Sequence, residues 1–144
     1  MPHFDTSALV PLFYEDHPNH ARAKAAFASA DEVVLHACVV LELTTVVRRL
    51  AKAAGKDGNL EARQALAAIL REPRVRLQDG HEAAVELYLA DPRISFTDAI
   101  IAVSGSPGSK EEPVAFDEAI WKAAAIPRDK RARARKTVEA GLRP

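Results

Sequence analysis

The feature that most restricts this chain is a repeated change of rhythm. Short apolar runs, Val33-Val34-Leu35, Val75-Arg76-Leu77 and Pro113-Val114-Ala115-Phe116, stand between longer segments of helical pattern, and residues 2 to 5 form a similar run at the start. Three or four residues are too few for a helix, and β-branched side chains suit a strand buried on both sides. Strands alternating with helices predict an α/β fold whose parallel sheet is covered on both faces. Ligands of such sheets gather beyond the carboxyl ends of the strands.

Helices are expected between these runs. Thr6 or Ser7 can cap a short helix through Phe13, because a hydroxyl there satisfies an otherwise orphan N–H. A second runs from His20 to Ala30, with Ala25, Ala26 and Phe27 as its inner face. His36 to Lys52 follows and ends at Gly55, then Gly58 to Leu70 with Leu60, Ala67 and Leu70 inward, stopped by Pro73. Asp79 can cap a helix from Gly80 to Ala90, and Ser95-Phe96-Thr97-Asp98 opens a buried one. The Gly/Ser/Pro stretch 104–112 reads as a loop, Glu118 to Ala125 as a helix, and Arg128 to Ala140 as a basic helical tail.

A chain of 144 residues is expected to form one domain, and 48% apolar with 28% charged residues is the balance of a globular protein. Neither a membrane-spanning window nor a signal-peptide pattern occurs, so a cytoplasmic location is expected. Cys38, the only cysteine, sits in an apolar run and reads as a buried thiol. The zero net charge is unevenly spread. Residues 1–126 hold 13 Lys/Arg against 18 Asp/Glu, whereas 127–144 hold 7 against 2. An acidic body with a basic tail hints at a polyanionic or acidic partner.

Four acids stand out. Asp5 and Asp117 each follow a predicted strand, while Glu42 and Asp98 lie on helices that could reach the same edge. Each also has a structural reading. Asp5 and Asp117 suit helix caps, Asp98 completes the capping box Ser95-x-x-Asp98, and Glu42, among Val39, Val40, Leu41 and Leu43, could pair with Arg48 or Arg49. Gathered together, four carboxylates repel one another unless a cation compensates them. An all-oxygen anionic pocket suits Mg2+ or Mn2+, and metal-assisted phosphodiester hydrolysis is its natural chemistry.

Taken in order, Phe4-Asp5-Thr6-Ser7-Ala8-Leu9-Val10, Val39-Val40-Leu41-Glu42-Leu43, Ser95-Phe96-Thr97-Asp98-Ala99-Ile100-Ile101-Ala102 and Ala115-Phe116-Asp117 resemble the signature blocks of the PIN-domain family. The length and the opening resemble its VapC-like ribonuclease toxins. The resemblance implies a three-layer α/β/α domain over 1–126 with a central parallel sheet of four to five short strands, and 127–144 as a basic tail of the same domain. It further implies an endoribonuclease dependent on Mg2+ or Mn2+, a homodimer, an RNA substrate and a small inhibiting antitoxin. Asp5, Glu42, Asp98 and Asp117 match the acidic positions. The resemblance implies Asp5 and Asp98 as the direct metal ligands, Glu42 and Asp117 acting directly or through water, and Thr6 in support. Two departures are visible: the 104–112 loop replaces helix, and little apolar sequence beyond Ile126 remains for a fifth strand.

Other residues have plainer readings. His17 and His20 flank Pro18-Asn19 with no third ligand near, which argues against zinc. His3, His36 and His81 suit surface or capping roles, Trp121 suits the core, and the basic run 128–136 is a solvated helix or a phosphate-attracting one. Two other function classes compete. A non-catalytic RNA- or protein-binding module would keep the fold without turnover. A haloacid-dehalogenase-type phosphatase would need a second Asp two residues after Asp5, where Ser7 stands.

Overall fold

The computed structural model describes residues 3–78 and 80–103. The predicted fourth strand, the helices beyond it, Asp79, Asp117, Trp121 and the basic tail lie outside the described residues. What is described forms two compact units, one ending at Gln78 and one carrying the two helices that follow.

In the first unit the elements are α1 (Thr6–Leu9), a 3₁₀ turn (Val10–Phe13), α2 (His20–Ser29), β1 (Val33–Leu35), α3 (Ala37–Ala53), α4 (Gly58–Leu70) and β2 (Val75–Leu77). β1 and β2 are parallel, with Val33 opposite Val75, Val34 opposite Arg76 and Leu35 opposite Leu77. The opening segment joins the other side of β1 through a single parallel bridge, His3 to Val34. The architecture is therefore mixed α/β on a parallel sheet, as the alternation requires. Of the first predicted strand, residues 3–5 make only that bridge, because Asp5 already leaves the sheet to cap α1.

β1 is buried along its whole length and forms the middle of these three segments. α3 buries Val39, Leu43, Val47 and Ala51, at four-residue spacing, together with Val40, and packs chiefly against α4. A buried leucine such as Leu43 contributes about 1.5–3 kcal/mol. Cys38, Leu41 and Glu42 fall on the opposite face and are exposed, so the cysteine is not a buried thiol. The end of α3 is closed by Gly55 at φ +75, with Gly55 N–H bonded to Lys52 O and Lys56 N–H to Ala51 O. A left-handed glycine in that position lets the chain reverse at once into α4.

Three local expectations are corrected. The first helix breaks at Val10, because Pro11 lacks an N–H and its ring clashes with a carbonyl one turn back. In α2 the inward residue is Ala23, with Phe27 half-buried one turn on, whereas Ala25 and Ala26 are exposed. Phe27 meets Phe4 edge-on at 5.7 Å. In α4, Ala67 is buried as expected, but Leu60 is 48% exposed, and Ala62, Ala65, Leu66 and Ile69 complete the buried face.

The second unit holds α5 (Glu82–Ala90) and α6 (Phe96–Val103), which pack together with the Tyr88 and Phe96 rings T-shaped at 5.9 Å. α5 starts later than expected because Gly80, at φ +86, is not helical. Between the helices, buried Asp91 takes the Arg93 guanidinium in a fork, from Nε at 2.8 Å and Nη2 at 2.5 Å. No helix among the described residues is long and apolar enough to cross a membrane.

Candidate active site

Three parallel segments point their carboxyl ends the same way, so Asp5 after the first and His36 after β1 reach the same edge of the sheet. Asp5 is exposed and extended (φ −84, ψ 160) as the N-cap of α1. Its Oδ2 accepts from Ser7 Oγ at 2.8 Å and from the Ser7 N–H at 3.3 Å. The Ser7 hydroxyl, then the Ser7 and Thr6 N–H groups, hold its carboxyl below the usual carboxylate range. Asp5 is thus an anion fixed in direction and open to solvent. Beside it Thr6 is only 4% exposed, and its Oγ1 is buried without a hydrogen-bond partner among the described residues. A buried hydroxyl with no partner is costly, and such orphans mark places where an absent group belongs.

Across the same edge, His36 is the N-cap residue of α3, and α1 packs against that helix. The His36 ring stacks on His3 with centroids 4.9 Å apart, and His3 Nδ1 lies 2.7 Å from His36 Nε2. Glu42, in the second turn of α3, makes no ion pair with Arg48 or Arg49 and no hydrogen bond among the described residues. Thr45 turns away from it, donating to Leu41 O at 2.8 Å. Glu42 is tolerated among apolar neighbours because it faces outward. A carboxylate without a cationic partner remains available to a metal ion.

Asp98 lies in the first turn of α6. It forms the expected capping box: Ser95 N–H donates to Oδ2 at 3.2 Å, and Asp98 N–H to Ser95 Oγ at 3.1 Å. That fixes the rotamer and spends one oxygen. The structure therefore brings Asp5 and Thr6 to the sheet edge from which α3 carries Glu42, and sets Asp98 on the second unit. Asp117 is outside the described residues. Among those residues no group of three or more His, Cys, Asp and Glu is gathered for a metal ion.

The PIN domain model matches residues 4–105, about seven tenths of the chain. The chain belongs to the PIN domain family. No curated protein and no solved structure matches it. PIN domains are in general nucleases and typically use divalent metal ions. The matched stretch of this PIN domain contains Asp5, Thr6, Glu42 and Asp98 and stops short of Asp117. In donor chemistry the residues fit such an ion. Asp5 is held ionised, Glu42 has no competing cation, and an unsatisfied hydroxyl lies beside Asp5; all are the hard oxygen donors that Mg2+ and Mn2+ prefer.

Two features escaped the sequence reading. Ser7 orients Asp5, a role its place two residues after the acid suggests in retrospect as an Asx-turn. The His3 and His36 contact spans 33 positions and depends on strand register, for which the linear sequence carries no signal. His17 and His20 do not face one another's partners: His17 Nδ1 accepts from Asn19 N–H at 3.0 Å, and His20 Nδ1 donates to Pro11 O at 2.7 Å. A recess of about 320 Å³ also opens beside α1, lined by Ser7, Ala8, Asn19, Arg22, Ala23 and Ala26.

Proposed function

We propose that this PIN domain is an endoribonuclease dependent on Mg2+ or Mn2+, acting in the cytoplasm as the toxin of a toxin–antitoxin pair. Residues 1–126 form the nuclease domain, and 127–144 are its basic tail. The domain works as a homodimer and is inhibited by a small antitoxin. Asp5 and Asp98 hold the ion, with Glu42 and Asp117 bound to it directly or through water. When bound, the ion polarises a phosphoryl oxygen and lowers the pKa of a coordinated water.

The observation that carries this reading is the pairing of an ionised, oriented Asp5 with the unsatisfied Thr6 hydroxyl next to it. Ser7 keeps Asp5 in its anionic form and fixed direction. Thr6 Oγ1 supports the site by donating to a ligand or to water. The Ser7–Arg22 recess offers one cation and one amide to RNA next to Asp5. Position 7 donates to Asp5 through a hydroxyl, which cannot serve as the acid/base that a dehalogenase-type phosphatase needs.

Incubating a fluorescent single-stranded RNA with the protein and Mn2+ or Mg2+ tests the proposal. Cutting that EDTA and Asp5→Asn both abolish is expected. Intact RNA retained at low salt would instead favour the non-catalytic binding module, which the engagement of Asp98 in its capping box favours. Phosphate release from a monoester without RNA cutting would favour a phosphatase.

A further inference from the structure

A second cavity, of about 290 Å³, lies where α3 turns into α4 and is lined by Arg48, Lys52, Lys56, Asp57, Gly58 and Asn59. Arg48 and Lys52 are one turn apart on α3, and Lys56 follows the Gly55 reversal, so three cations converge on one opening. All three are exposed, and none pairs with a carboxylate among the described residues. The one acid present, Asp57, spends Oδ1 on the Leu60 N–H at 3.1 Å as the cap of α4.

This convergence is unfavourable in isolation. Like charges one helical turn apart repel, and the single Asp57 carboxylate, which caps the positive first turn of α4, offsets only part of that charge. The close approach of Gly58 holds them there: a Cβ at Gly58 would lie 2.6 Å from Arg48 O and 2.8 Å from Lys52 Cγ. An anion in the cavity removes all of these penalties at once. Lys52 lies ten residues beyond Glu42 on α3, about 15 Å along its axis, a span of several nucleotides.

We infer that the Arg48, Lys52 and Lys56 cavity binds a backbone phosphate of the RNA at a distance from the acidic edge, an inference that rests on the RNA-directed reading above. Contacts of this kind position a strand and carry no sequence preference. They add affinity that falls with salt.

Fluorescence anisotropy of a labelled single-stranded RNA, in EDTA so that none is cut, measures the slope of log affinity against log salt. Replacing all three cations, as Arg48→Gln, Lys52→Gln and Lys56→Gln, should shallow the slope by about 0.7, the share of one single-strand phosphate. Lys56→Gln alone, outside both helices and so harmless to folding, should shallow it by a part of that. An unchanged slope in both variants, with RNA still cut by the wild type in Mn2+, overturns the cavity assignment and leaves the nuclease reading standing. No RNA binding by the wild type overturns both. A parallel titration with inorganic phosphate follows the Gly58 and Asn59 amide resonances. Shifts there with an unchanged RNA slope would identify a free-phosphate site and also overturn the assignment.

Discussion

Replacing Thr6 by valine separates stability from function at the proposed metal edge. Thr6 is 4% exposed, and its Oγ1 has no hydrogen-bond partner among the described residues. Burying an unsatisfied hydroxyl costs about 1–3 kcal/mol in proteins. Valine keeps the volume and the β-branching while exchanging the hydroxyl for a methyl group, and its preferred rotamer is compatible with a helix. The metal-free variant should therefore be more stable by about 1 kcal/mol, the lower end of that range. For a chain of this size that is a rise in Tm of about 3–5 °C. Urea unfolding in EDTA should show a higher midpoint with an unchanged slope. With Mn2+ present the order should reverse, because the wild type gains a partner for its hydroxyl and the variant does not. A lower midpoint for Thr6→Val in EDTA would refute the reasoning, since it would mean that the hydroxyl is satisfied without a metal.

Three further perturbations follow from the same geometry. Ser7→Ala removes the largest influence holding the Asp5 carboxyl low. The folded-state pKa of this carboxyl is depressed, so whatever its charge contributes persists above its ordinary pKa and is lost as pH falls through the depressed value. The variant should move that loss to higher pH, read as the midpoint of the Asp5 carboxyl carbon resonance; an unmoved midpoint counts against the assignment of Ser7. Arg74 Nη1 donates to Phe27 O, Ala28 O and Ala30 O at 3.2, 3.1 and 2.6 Å, closing the end of α2. Arg74→Ala should cost about 2 kcal/mol in urea unfolding, and a loss within 0.5 kcal/mol of zero, the scatter of surface changes, would argue against that cap. Gly58→Ala should cost about 1–3 kcal/mol by overpacking, because the atom it meets at 2.6 Å is the Arg48 backbone oxygen, which cannot swing aside. A neutral result would mean that α3 and α4 can separate freely.

Much of the fold was legible because its signals are local. β1 and β2 fall on the short runs Val33-Val34-Leu35 and Val75-Arg76-Leu77, and α4 ends ahead of Pro73. Asp98 in its capping box is equally local, since Ser95 and Asp98 are one turn apart. The inner face of α2 was not legible, because alanine repeated around a helix offers no hydrophobic contrast from which to choose a side. Pro11 should have ended α1 earlier than Phe13; its preference for the first turn of a helix fits the 3₁₀ segment instead. Cys38 sits beside Val39 and Val40 in sequence but 100° away from Val39 around the helix, so proximity in the chain misled where periodicity would not have. In the site, the types of residue were readable and their surroundings were not. That Glu42 faces outward without an arginine, that Ser7 orients Asp5, and that His3 meets His36 all depend on register and packing between distant segments.

The central claim is that Asp5, Glu42 and Asp98 share one divalent ion. Substoichiometric Mn2+ added to the protein, with the side-chain carboxyl resonances assigned, tests this directly, since a paramagnetic ion broadens only nuclei close to it. Simultaneous broadening of the Asp5, Glu42 and Asp98 carboxyls, reversed by EDTA and lost in Asp5→Asn, is the predicted result. Broadening confined to Asp5 and Glu42, with the Asp98 carboxyl untouched, would contradict it.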